Sequence, residues 1–198
     1  MRLTSTLFAL AVSLAFVAGA GLTGAASAAP YIMDKSHSQI TFTVDHLGFS
    51  SVHGQFRSFE AQIDFTPDRV EETRVRFVID AASVETFWEA RDKHLRSKDF
   101  FNVDVYPEII FESTSVSPTG PDTAVVSGNL TMVGQTHPVT FDAKLNNLGP
   151  SPFNPSQTIA GFTVTGELDR TDYGMTFAAP AVGTTIPIRI DLEISPGG

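Results

Sequence analysis

The stretch from Thr86 to Phe111 reads TFWEARDKHLRSKDFFNVDVYPEIIF. Thr86-x-x-Glu89 matches a capping box, in which a hydroxyl and a carboxylate satisfy the free amides of a first helical turn. Charged helix formers follow, and Ser97 is placed to cap a second short turn leading into Phe100-Phe101. Pro107 ends the insert, and Ile109 opens the next strand. Apart from the N-terminal apolar run, no other segment of the chain is convincingly helical. One charged helical insert in an otherwise alternating sequence narrows the fold sharply.

Working outward, the flanks have the period of two that marks half-buried strands. From Gln39 to His46, Ile40, Phe42 and Val44 share one face, and Thr41, Thr43 and Asp45 share the other. Gly48 to Ser51 reads as a turn. From His53 to Phe65, Phe59, Ala61, Ile63 and Phe65 are in phase, and Phe56 is out by one residue. A bulge at Arg57-Ser58 restores the phase; otherwise Phe56 faces outward. Pro67-Asp68 is a turn, and Arg74 to Asp80 is a strand with Val75, Phe77 and Ile79 on one face. Thr123–Met132 and Thr136–Leu145 flank a hairpin loop at Val133-Gly134-Gln135. Gly149 to Pro155 reads as a rigid exposed loop. Ile159–Leu168 and Thr184–Ile194 complete the set, and Pro187 marks a bulge or an unpaired edge within the last strand. About eight strands on short connections predict an up-and-down antiparallel barrel with its apolar faces turned inward. A barrel of that size is filled by side chains or holds one slim ligand.

Composition narrows the function classes. Residues 1–28 read as a secretory signal: Met1-Arg2, an uncharged run from Leu7 to Val17, and Ala26-Ser27-Ala28 before cleavage near Ala28/Ala29. Residues 29–198 then form a single domain, exported to the periplasm or secreted. The chain has no cysteine, which excludes disulfides, thiolate catalysis and cysteine-ligated metal. A net charge of −9 disfavours nucleic acid as a partner. The aromatic residues are 16 Phe, 3 Tyr and 1 Trp. Phenylalanine has no polar tip to satisfy, so many of these rings are expected in a dry interior.

The chemistry-bearing residues form no catalytic constellation. There is no G-x-S-x-G elbow and no phosphate-binding glycine loop. His37, His46 and His53 have no compact metal-ligand spacing and read as hydrogen-bonded histidines at a barrel end. No metal, cofactor or enzymatic activity is expected. The insert carries Arg91, His94, Arg96 and Lys98. If it crosses a barrel mouth, Arg91 and His94 are candidates for a ligand head group. The competing reading has Arg91, Asp92 and Asp99 in ion pairs that pin the insert. Arg170 to Met175 reads as a tight polar turn that fixes barrel geometry.

An ordered set of motifs runs along the chain. It comprises His37-Ser38-x-Ile40-x-Phe42-x-Val44-x-His46-x-Gly48, Val52-His53-Gly54-x-Phe56, Ser83-Val84-x-Thr86 and Arg91-Asp92-x-His94-Leu95-x-Ser97-x-Asp99-Phe100-Phe101-x-Val103. Tyr106-Pro107-x-Ile109-x-Phe111-x-Ser113, Gly128-x-Leu130-Thr131-x-x-Gly134-x-Thr136-x-Pro138-Val139 and Arg170-x-Asp172-Tyr173-Gly174-Met175 follow. Together they resemble the YceI-like, polyisoprenoid-binding family. The resemblance implies an all-β fold, an eight-stranded antiparallel lipocalin-like barrel with a short helical insert near one end. It also implies a periplasmic protein that holds a long-chain isoprenoid, an isoprenoid quinone or a fatty-acid derivative, with no set of catalytic residues.

The residues expected to line such a tunnel are Ile40, Phe42, Val44, Phe77, Phe111, Leu130, Phe141, Phe162, Val164, Ile188 and Ile190, with Met175 and Phe177 at the mouth. Burying a methylene is worth about 0.8 kcal/mol, so about twenty carbons gain on the order of 16 kcal/mol before ordering costs. Two other classes compete. An enzyme acting on a barrel-bound lipid or quinone would use His46 or His53 with Asp45. An outer-membrane barrel would need aromatic belts that the few Tyr and Trp do not supply, so no stable membrane insertion is expected. A homodimer is compatible with the sequence.

Overall fold

The computed structural model describes residues 30–197. The expected export signal at residues 1–28 lies outside the described residues. The strands are β1 (Tyr31–Met33), β2 (Gln39–His46), β3 (Ser50–Phe56), β4 (Phe59–Asp64), β5 (Arg74–Asp80), β6 (Val84–Glu85), β7 (Glu108–Pro118), β8 (Thr123–Met132), β9 (Gln135–Pro150), β10 (Thr158–Asp169) and β11 (Thr185–Pro196). One α-helix, α1 (Glu89–Arg96), lies between β6 and β7.

These segments close into an eight-stranded antiparallel barrel. Three long strands are each interrupted. β1 and β2 lie along β11, pairing with it through Met33↔Ile194 and Ile40↔Ile190. β3 pairs with β2, and β4 pairs with both β1 and β5. A 3-10 turn, Ala81–Ser83, joins β5 to β6, which pairs with β3. Every other connection is an up-and-down step, so apolar residues at alternate positions all face one interior. The outer wall is polar: Arg76 meets Glu112 at 3.0 Å, and Arg189 meets Asp191 at 2.7 Å.

The break at Arg57-Ser58 falls between β3 and β4 and resets the phase, so Phe56 is buried rather than outward. Ser83 fills the gap: its Oγ accepts from the Ser58 amide at 3.1 Å and its carbonyl from the Arg57 amide at 3.2 Å. Pro187 stays in register with Glu167 of β10, while the ladder to β2 begins only at Ile188. It therefore occupies a locally unpaired edge. The hairpin turn is shorter than expected. Val133 and Gly134 take φ of 50° and 73°, and Gln135 already belongs to β9. Strand β9 also runs on to Pro150, past the expected start of the loop, and Ser151 is buried. Its Oγ accepts from the amides of Phe153 and Asn154, which fixes the turn into β10.

The insert departs most from expectation. Only Glu89–Arg96 is α-helical, and the residues after it to Pro107 form turns. Thr86 is not the cap. Trp88 occupies that position in an extended conformation, with no side-chain bond to the first turn. A buried partner has captured the threonine: Asp92 accepts from both the Thr86 amide, at 2.8 Å, and its hydroxyl. Ser97 behaves as read, its Oγ accepting from the Asp99 amide at 3.3 Å.

Two ends follow from this connectivity. The helical end carries residues 47–49, 86–107, 133–134 and 170–184. The far end carries residues 65–73, 119–122 and 151–157.

Candidate functional site

The barrel encloses a cavity of about 520 Å³, within the size range of small-molecule sites. Its wall is the shared inner face of the strands. Ile40, Phe42 and Val44 enter from β2, Phe77 from β5, Phe111 from β7, and Leu130 and Phe141 from β8 and β9. Phe162 and Val164 enter from β10, and Ile188 and Ile190 from β11. Met175 and Phe177 close in from the 174–184 connection, here called the strap. The structure thus brings every residue expected at a tunnel onto one cavity.

Glycines explain how an interior so rich in phenylalanine stays open. A Cβ on Gly54 would lie 2.3 Å from the Phe42 ring, one on Gly128 2.5 Å from Phe111, and one on Gly166 2.5 Å from Phe141. Each ring lies against the wall where a glycine leaves room, instead of standing across the lumen. Sequence reasoning missed this pairing. The Phe42↔Gly54 register was its one legible signal, since that pair faces across a predicted hairpin.

Polar groups line the cavity at both ends, Thr73, Asp122 and Thr123 at the far one and four longer side chains at the helical one. His46, Arg91, His94 and Arg170 all reach the cavity. Arg91 makes neither of the expected ion pairs. Its Nε donates to Thr86 Oγ1 at 2.7 Å and its Nη2 to the Thr86 carbonyl at 2.6 Å, with the guanidinium 5.5 Å above the Trp88 ring. The other nitrogen, Nη1, has no partner among the described residues. His94 Nε2 is 3.1 Å from Asp99 Oδ2, and its ring meets Phe100 and Phe177 edge-on at 5.1 and 4.9 Å. Asp99 is thus paired with His94, and Asp92 with Thr86.

Arg170 is the cavity group that sequence reading placed only in a geometric turn. It is buried, and its Nε and Nη2 donate to the carbonyls of Gly183 and Val182, both at 2.9 Å, with Nη1 bonded to the Met175 carbonyl. Burial pushes its proton affinity down, opposed by the Asp169 charge. The neighbouring Tyr173 is buried with its hydroxyl unpartnered among the described residues, and its pKa is pushed up to about 12, first by burial and then by Asp172.

The three N-terminal histidines do not converge. His53 Nδ1 contacts Thr43 Oγ1 at 3.2 Å, and His46 pairs with Ser50 at the tip of the β2–β3 hairpin. His37 instead gathers with Asp34 and Glu193 within 4.8 Å, all on the surface. Its Nδ1 is taken by Asp34 at 2.8 Å, and that bond raises the imidazole pKa above its ordinary value. This group is an exposed ion-pair cluster away from the cavity.

A YceI-like domain model matches residues 31–194, nearly all of the described chain. A UPF0312 protein of Pseudomonas savastanoi pv. phaseolicola is 36% identical over 195 residues, covering 98% of this chain and 96% of that protein. The crystal structure of a Campylobacter jejuni YCEI protein superposes with a TM-score of 0.68 at 26% identity, over 78% of this chain and 90% of that one. A polyisoprenoid binding domain from Saccharophagus degradans shares the fold, with a TM-score of 0.62 at 17% identity over 84% and 98% of the two chains.

Proposed function

The chain belongs to the YceI-like family, and on that premise we propose that it is a periplasmic carrier for a long, slim apolar chain such as a polyisoprenoid, an isoprenoid quinone or a fatty-acid derivative. The observation that carries this reading is the cavity itself: about 520 Å³, walled by inward Phe, Ile, Leu and Val. Water in such a space finds almost no hydrogen-bond partners. Hydrocarbon gains the transfer energy of every buried methylene. Discrimination then rests on bore and length, and the polar groups at the helical end orient whatever projects there. The fold shared with the Saccharophagus polyisoprenoid binding domain supports the same ligand class.

The geometry favours carriage over chemistry. Asp45, the acid that would partner His46, accepts from the Gly48 amide at 2.9 Å. His53 is engaged by Thr43. The acid–base contact that does reach the cavity wall, His94 with Asp99 at 3.1 Å, is packed between the Phe100 and Phe177 rings.

Native mass spectrometry of the protein purified from the periplasm of an exporting host tests the reading. The expected result is a discrete adduct that solvent extraction identifies as a prenyl or acyl chain. A bare mass that stays bare after incubation with isoprenoids and fatty acids would overturn it.

A further inference from the structure

The cavity does not stop short of the far end of the barrel. Pro67, Pro118, Gly120, Pro121, Asp122 and Leu148 all line it, and all are exposed to solvent. They lie in the far-end connections or near the ends of β7 and β9 that lead into them. At the helical end the same holds for Trp88 and Phe177, which line the cavity and are 62% and 47% exposed. A residue that both walls a cavity and meets solvent marks a mouth, and this single cavity has such residues at each end.

Side-chain size explains why the bore continues. Toward the helical end, strands β7 to β9 wall it with Phe111, Leu130 and Phe141. Toward the far end the same strands offer Val116, Val126, Ala124 and Ala143. Val116 faces Val126, and Ala124 faces Ala143, in register. Two small pairs thus stand where a phenylalanine would close the lumen. Among the described residues, the far-end connections are a 3-10 turn, Val70–Glu72, and loops. Phe153 of the 151–157 loop is 98% exposed and is not part of the cavity wall.

Length gives the second mouth its consequence. β8 runs from one end of the cavity to the other, with Thr123 and Met132 both on the wall. Its 10 residues cover about 25 Å of barrel axis, at about 3.4 Å per residue and a tilt of about 40°. A blind tunnel would reject a chain longer than that. An open one lets the surplus pass out, and the rim it meets is largely apolar, with Pro67, Pro118, Pro121 and Leu148. Units beyond the mouth then add little burial, so affinity levels off with chain length instead of collapsing.

We propose that the far end is a second mouth and that the barrel accepts polyprenyl chains longer than itself, their tails emerging past Leu148 and Pro121. The head group stays at the helical end, where the carrier reading places it, so exchange remains with the insert and the strap. The inference rests on that reading and deepens it, since it favours long prenyl chains over a ligand that must be wholly enclosed.

The chain has no cysteine, so Leu148→Cys gives the mature protein a unique attachment point for acrylodan at the far mouth. Octaprenol, longer than the tunnel, is expected to shift the dye emission to the blue as its tail arrives. Farnesol, shorter than the tunnel, is expected to bind without moving it. Binding of both prenols is read separately on unlabelled wild type, by displacement of a fluorescent fatty acid. Ala143→Phe, which stands a ring in the far bore, is expected to weaken octaprenol roughly tenfold, the worth of about two buried methylenes, and to leave farnesol as in the wild type. Octaprenol that binds with the dye silent, or that is excluded while farnesol binds, overturns the second mouth and leaves carriage intact. Equal losses for the two prenols in Ala143→Phe, in protein that a thermal melt shows to be folded, also overturn it. Uptake of neither prenol nor fatty acid by the wild type sinks the carrier reading, and this inference with it.

Discussion

At Gly54 the absent side chain sets the width of the interior. The position faces Phe42 across the β2–β3 hairpin, and any Cβ there would overlap the ring at 2.3 to 2.9 Å. Only the ring can yield, and the free space around it is the cavity. Gly54→Ala is therefore expected to tilt Phe42 into the lumen. Overpacking of this kind costs about 1–3 kcal/mol of stability. The narrowed bore should weaken binding of a long-chain fatty acid roughly tenfold, or about 1.4 kcal/mol, while a short chain that stops below Phe42 is held as before. Fluorescent fatty acids of graded length, titrated against both proteins after a thermal melt confirms folding, separate the outcomes. Equal losses at every length would show that the ring does not set the bore. Gly166 stands in the same relation to Phe141, since a Cβ there would lie 2.5 Å from its ring, so the wall uses one device at more than one level.

Among the elements, the insert shows which local signals survive folding and which do not. The limits of β2 and β5 and the break at Arg57-Ser58 are read correctly because inward apolar residues must alternate, and one barrel interior enforces that alternation on every strand. The same rule placed the cavity-facing residues. A capping box is different: it records only that a hydroxyl and a carboxylate are three residues apart. Here Asp92, at the end of the same first turn as Glu89, is itself buried and takes both the amide and the hydroxyl of Thr86. Arg91 then closes on the oxygens of the same threonine. Nothing in sequence spacing ranks Asp92 above Glu89, because the ranking comes from burial. The buried Arg170 was likewise illegible, since its partners are three carbonyls that any sequence supplies. Asp92→Ala should leave the Thr86 amide unsatisfied inside the fold, a loss of about 1–3 kcal/mol. Glu89→Ala, which removes only an exposed pair with Arg96 at 3.4 Å, should cost about 0.5 kcal/mol or less. Urea unfolding of the two variants decides it, and equal midpoints would refute the assignment of Asp92 as the anchor.

On the scale of the whole molecule, the helical end is closed by two pieces of chain from different parts of the sequence, the insert and the strap, and Arg170 joins them. Its three nitrogens hold the strap carbonyls of Met175, Val182 and Gly183, and its guanidinium faces the Phe100 ring of the insert at 6.0 Å. Phe100 and His94 in turn pack on Phe177 of the strap. A ligand leaving past Phe177 must part these contacts, so the latch governs the rate of exchange more than the depth of the well. Arg170→Lys keeps the charge but places all its donors on one atom, which cannot span three carbonyls set around a planar fork. The expected result is a fatty-acid exit rate about tenfold faster, the equivalent of about 1.4 kcal/mol off the barrier, with entry accelerated in step so that affinity changes little. Stopped-flow displacement of a fluorescent fatty acid gives both rates. Should affinity fall while the exit and entry rates fail to rise together, Arg170 would be shaping the bound state and not the gate.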